Sequence, residues 1–178
     1  YESFDGVDVS AMMESCPKLV KLIEILGEIK EKGEKALIFT RSRDMQHLLA
    51  TSIFQSFRQR VDIINGAANR QETLTSSNTR KSMINRFQTD SNLNFIILSP
   101  DVAGIGLNLV EANHVIHYGR WWNPAKESQA TDRTYRIGQE RDVHVYYLIA
   151  KDPEGQFKSF DEKLDTLIDR RRQMAMDF

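Results

Sequence analysis

Arg133 and Arg136 stand three residues apart in the string SQATDRTYRIGQ, and they share one helical face if the helix begun upstream continues that far. Two planar, permanently charged guanidinium groups so placed can converge on a single anion. The anion they suit is a phosphoryl group, whose transfer depends mostly on positioning and on neutralising charge spread over its oxygens. Read with Glu127, Asp132 and Glu140, the same charges would also suit a solvated, salt-bridged helix. Further upstream, Gly104 and Gly106 follow an apolar run and let backbone approach a phosphate or another chain closely. Leu109 occupies the place where a dinucleotide-binding fingerprint needs its third glycine, so that reading is rejected.

Thr40-Arg41-Ser42 and Ser99 each come just after an apolar run and offer hydroxyls, backbone N–H groups and one cation. Such groups can hold a phosphate backbone, which positions a protein without reporting base sequence. Thr40 and Ser42 could equally satisfy the start of the helix that follows them. His114 and His117, three apart on a strand, point to opposite faces, and no nearby cysteine or carboxylate completes a ligand set, so no metal is assigned. Trp121 and Trp122 are read as packing residues, at least one of them buttressing the arginine-bearing helix. A GxxxxGK[ST] phosphate loop does not occur: Gly33-Glu34-Lys35 lacks both the spacing and the hydroxyl, and no acidic string supplies a magnesium ligand. A complete nucleotide site is therefore not read from these residues alone.

These residues need a scaffold, and the hydrophobic pattern supplies one. Leu19, Leu22, Ile23, Leu26 and Ile29 predict a helix over 17–31, with Pro17 in its first turn. Ala36 to Phe39 and Phe95 to Leu98 are continuous apolar runs, as expected of parallel strands buried on both faces. Met45, Leu48, Leu49 and Ile53 predict a second helix, and Met83, Ile84 and Phe87 a third. Val61–Ile64, His114–Tyr118 and Val143–Ile149 read as further strands, with a helix opened by Asn123-Pro124 between the last two. Alternating strands and helices predict a doubly wound α/β fold whose ligands bind beyond the carboxyl ends of the strands. Ser159 and Glu162, at capping-box spacing, open a C-terminal helix that ends near Arg170, Arg171 and Arg172.

The 178 residues, 40% of them hydrophobic, suit one compact domain. With 24 basic and 25 acidic side chains, any anion site must be local. Cys16 has no partner for an intrachain disulfide, and no apolar run approaches the ~20 residues of a membrane-spanning helix, so a soluble intracellular protein is expected. A start at Tyr1 and an end within a helical pattern suggest a piece of something larger.

Between Ser99 and Gln139 a buried strand, SPDVAGIGLNL, a second strand and RWWNPAKESQATDRTYRIGQ follow in order. This block resembles the fifth and sixth motifs of the C-terminal helicase lobe of the Swi/Snf family within helicase superfamily two. The resemblance extends from about Leu19 to Ile149 through a fourth-motif strand, LIFTRS, at Leu37 to Ser42.

It implies a RecA-like lobe, a parallel sheet with helices on both faces, spanning 15–150. An extension, 1–14, would precede it, and a loop with a C-terminal helix, 151–178, would follow. It further implies a DNA-dependent ATPase and duplex-DNA translocase, with Arg136 as arginine finger and Arg133 as its support. Gly104, Gly106, Asn108, Gln129 and Asp132 would lie at the nucleotide side. Thr40, Arg41, Ser42, Ser99, Gly66 and Arg80 would lie along the DNA. Pro100, Asp101 and Ala103 depart from the family's commoner residues, so no basic DNA contact is implied at 101. ATP would be shared with an N-terminal ATPase lobe that also holds Mg2+, and the fragment would be monomeric. An RNA helicase lobe is the nearest alternative, but its sixth motif typically ends in a glycine-arginine pair rather than Ile137-Gly138-Gln139. The other alternative is a non-catalytic nucleic-acid-binding scaffold.

Overall fold

A computed structural model describes residues 11, 13, 15–65, 79–105, 109–132 and 139–176. Five strands form one all-parallel sheet: β1 (Ala36–Phe39), β2 (Asp62–Ile64), β3 (Phe95–Leu98), β4 (His114–His117) and β5 (His144–Tyr147), in the spatial order β2-β3-β1-β4-β5. β1 and β3 are buried at every position, because they lie inside the sheet and are covered on both faces. β5 is an edge strand, half-buried and shorter than the apolar run Val143–Ile149.

The alternation of side chains along each strand divides the core in two. On one face Ala36, Ile38, Phe95, Ile97 and Ile116 pack under two helices, α1 (Pro17–Glu31) and α2 (Arg43–Phe57). On the other, Leu37, Phe39, Ile96, Leu98 and Val115 meet Phe87 of α3 (Arg80–Thr89), Val102 of a 3₁₀ segment (Pro100–Ile105) and Ala130 of α4 (Pro124–Thr131). Burial of each large apolar side chain contributes about 1.5–3 kcal/mol, which is what holds the layers together.

Helix ends follow local chemistry. Ser42 caps α2 by accepting from Met45 N at 3.4 Å, and α2 stops at Arg58, which adopts the left-handed φ of 55°. Thr79 caps α3, whose carboxyl-end carbonyls at Phe87 and Asp90 accept from the buried Lys35 ammonium. Asn123 caps α4 through Ala125 N and Lys126 N, with Pro124 in the first turn. Ser159 and Glu162 form the expected reciprocal cap, Glu162 accepting from Ser159 N at 2.9 Å and Ser159 Oγ from Glu162 N at 3.1 Å. The helix they open, α5 (Phe160–Met176), packs back onto the lobe through Leu164 and Ile168. Among the described residues no helix is long and apolar enough to cross a membrane.

At the amino ends of the strands His114 Nε2 and Glu34 Oε2 are 2.6 Å apart, and Asn113 donates to the other Glu34 oxygen at 2.9 Å. His114 stacks on His144, while His117 stacks on Phe39 on the opposite face. The two histidines thus point apart as their spacing predicts, but His114 does have a carboxylate neighbour, brought from 80 residues away. Burial pushes the His114 imidazole below its ordinary value despite Glu34, and the hydrogen bond from His114 holds Glu34 below the usual carboxylate range.

Candidate functional site

The chain leaves β1 toward β2 and returns from β3 past β1 to β4, so its direction reverses between β3 and β1. The carboxyl edge at such a reversal is the usual ligand position of a doubly wound sheet. A cavity of about 390 Å³ opens there. Thr40, Arg41 and Ser42 line it from the end of β1, Pro100 and Asp101 from beyond β3, and Gly119 to Asn123 from beyond β4. Lys126 of α4 and Phe160 and Leu164 of α5 complete the wall.

Of the six residues expected along a phosphate backbone, Thr40, Arg41 and Ser42 share this cavity, and Ser99 adjoins it. Thr40 is buried; its N–H donates to Leu98 O at 3.2 Å and its carbonyl accepts from the Gln46 side-chain amide at 2.9 Å. Ser42 is exposed, and its hydroxyl caps α2. Ser99 is buried: its N–H donates to Ile64 O at 2.9 Å and its hydroxyl accepts from Asp101 N at 3.4 Å. Arg41 is the exposed cation of the set. Arg80 opens α3 and is half-buried. Asp101 is exposed in the cavity wall, a carboxylate where an anion would be opposed.

Of the residues expected to face a nucleotide, Gln129 and Asp132 are exposed on α4 and at its end, and Gly104 lies in the 3₁₀ segment. Gly66, Gly106, Asn108, Arg133 and Arg136 lie outside the described residues. α4 runs to Thr131, so the helical face that Arg133 and Arg136 would share is not part of the described fold. The amide nitrogen of Gln139 donates to Val110 O at 2.8 Å and Ala112 O at 2.9 Å. That one side chain joins the end of the RIGQ string to the turn just after the GIGLNL string.

Glu127 corrects the picture of a solvated charged helix. It is fully buried and forms a two-pronged pair with Arg120, Nε to Oε1 at 3.0 Å and Nη2 to Oε2 at 3.1 Å. Arg120, its side chain 4% exposed, also binds Asp165 of α5, lies 3.8 Å from Asp169 and stacks 4.4 Å from the Tyr147 ring centroid. Sequence reasoning missed Arg120, Gln46 and Lys126, because nothing local marks a charge or amide in a polar stretch as one that will be buried or turned into a cleft. The tryptophans divide their work. Trp121 sets its edge against Phe39 and His117, whereas Trp122 is 53% exposed at the cavity rim, against Phe160. Among the described residues no group of three or more potential ligands could hold a metal ion.

A five-stranded parallel sheet of this order, with a cleft at its carboxyl edge and a helix leading from that edge into an arginine-bearing string, defines a RecA-like lobe of the helicase type. The family model described as helicase conserved C-terminal domain matches residues 17–138. The Zorya protein ZorD of Escherichia coli is 47% identical over 165 residues, covering 92% of this chain but 15% of that relative. Among solved structures, the C-terminal part of the Fun30 ATPase domain superposes with a TM-score of 0.72 at 30% identity, covering 85% of this chain and 44% of that one. The Sulfolobus solfataricus SWI2/SNF2 ATPase core in complex with dsDNA does so at 0.68 and 36%, covering 88% and 30%. The chain belongs to the helicase conserved C-terminal domain family, as a C-terminal lobe of the Swi/Snf type. It spans about 15% of the length of that relative, and similarly small shares of others that it matches.

Proposed function

We propose that this chain is the second lobe of a double-stranded-DNA translocase, a monomeric body of residues 15–150 extended by 1–14 and by the loop and helix of 151–178. It closes on an N-terminal ATPase lobe of the same polypeptide and works inside the cell, where its DNA is. ATP, held with Mg2+ chiefly by that other lobe, supplies the γ-phosphoryl bond to be broken. Arg136 serves as the finger and Arg133 as its support, with Gly104, Gly106, Asn108, Gln129 and Asp132 on the same side. Thr40, Arg41, Ser42, Ser99, Gly66 and Arg80 contact DNA phosphates, and closure and opening of the lobes produce stepping.

The observation that carries this reading is the Gln139 bridge to Val110 and Ala112, which holds the end of the sixth string beside the turn that follows the fifth. The outward Gln129 and Asp132 support a surface made to meet another body, since α4 buries only Glu127 and Ala130. An exposed arginine between two hydroxyl residues at a strand tip supports a phosphate contact that reads no sequence.

In the two-lobed protein Arg136→Ala should lower kcat by roughly 10³ to 10⁵ while sparing most nucleotide affinity, because a finger binds more tightly as charge redistributes. Lysine should recover little, lacking the fork that meets two oxygens. A folded, DNA-binding Arg136→Ala variant with near wild-type kcat would overturn the reading.

A further inference from the structure

α4 is only eight residues long, and its buried side chains are Glu127 and Ala130. A helix of two turns has little stability of its own, and one methyl group is a weak anchor on a sheet. What seats α4 is polar and directional. Near its start Glu127 takes both prongs of the Arg120 guanidinium and also accepts from Trp121 N at 3.3 Å. At its end Thr131 Oγ1 lies 3.1 Å from Nε2 of the fully buried His117. Arg120 is itself fixed from three sides, by the Tyr147 ring, by Glu127 and by Asp165 of α5. A fork held in this way sets the direction of a helix as well as its distance, which apolar contact does not.

We propose that Arg120 is a positioning residue: through its two-pronged pair with Glu127 it sets α4 on the sheet, and thereby the direction in which the chain leaves α4 at Asp132, with α5 as the outer support of that seat. The inference rests on the finger reading, because its consequence for turnover runs through Arg136. Arg120→Lys keeps the charge but cannot engage both Glu127 oxygens along fixed directions. A small tilt of α4 follows, and a displacement of about 1 Å in a group that must meet a transferring phosphoryl can cost on the order of 10²-fold. ATP affinity, set chiefly by the other lobe, is spared.

Two readouts separate positioning from bulk stability. In this chain, hydrogen exchange at the amides of Lys126 to Asp132 should quicken on the order of tenfold in Arg120→Lys, while β1 and β3 keep wild-type protection. In the two-lobed protein kcat should fall about 10- to 100-fold with KM for ATP within about threefold, and in single-turnover measurements Arg120→Lys should subtract nothing further from the residual rate of Arg136→Ala. Should Arg120→Lys fail to fold, Glu127→Gln is read by the same criteria. A kcat within twofold of wild type, or the same fold loss on the Arg136→Ala background as on the wild type, overturns the proposal. Arg136→Ala with full turnover sinks the finger reading and this inference with it; an inactive Arg136→Ala beside a fully active Arg120→Lys sinks only the inference.

Discussion

Replacing Gln139 with leucine keeps the volume of the side chain and removes every polar contact it makes. Lost are its donations to Val110 O at 2.8 Å and Ala112 O at 2.9 Å, and its acceptance from Arg141 N at 3.0 Å. Arg141 is exposed, so its N–H turns to water at little cost. Ala112 is fully buried, and its carbonyl is left without that donor. Two neutral hydrogen bonds at about 0.5–1.5 kcal/mol each, with about 1–3 kcal/mol for stranding a buried acceptor, give a central expectation of about 4 kcal/mol. For a chain of this size that is a fall in Tm of about 8–16 °C. Arg141→Ala is the control two positions away: it removes a 2.5 Å contact to Glu111 O and a 3.7 Å ion pair at an exposed site, worth less than about 1 kcal/mol. Thermal and urea unfolding of both variants, followed by circular dichroism, measures the difference. Equal shifts for the two, or a Gln139→Leu midpoint within 1 °C of wild type, would refute the claim that this amide ties the two strings together.

Arg41→Gln should weaken binding of duplex DNA equally across sequences and reduce the slope of log K against log salt by about 0.9, as loss of one phosphate contact requires; an unchanged slope removes Arg41 from the DNA contacts. Stability should also fall as pH drops below about 6.5. Burial lowers the His114 pKa in the folded state, so the unfolded chain takes up a proton first and the native state loses ground as pH falls through the ordinary histidine value of 6.5. Glu34, also lowered, extends the loss into the carboxylate range. His114→Gln should flatten the stability profile between pH 6.5 and 5, and an unaltered slope in urea titrations at several pH values would count against this account.

The sheet was legible because burial on both faces leaves an unmistakable local mark: β1 and β3 contain no polar residue, and the structure shows both fully covered. Caps were legible for a similar reason, since Asn123 and Ser159 act within three residues of themselves. The polar interior was not. Glu127 finds Arg120 across a turn and a strand end, Lys35 meets the carboxyl end of α3 more than fifty residues away, and Glu34 reaches His114 across the sheet's amino edge. Such pairs are decided by topology, and a charge that topology buries looks in sequence like a charge bound for water. Trp121 and Trp122 show the same limit, because adjacent identical residues at a strand-to-helix turn differ only in which way the turn faces.

β1 is hydrogen-bonded on both sides along its whole length, to β3 on one side and β4 on the other, and Thr40 to Ser42 form its tip. A pull applied at that tip along the strand loads both ladders in shear, so the hydrogen bonds share the force together instead of parting one after another as they would in a peeled edge. β2 and β5, outermost in the sheet, bear none of the first share of that load. The lobe is therefore stiff along the axis of its central strand.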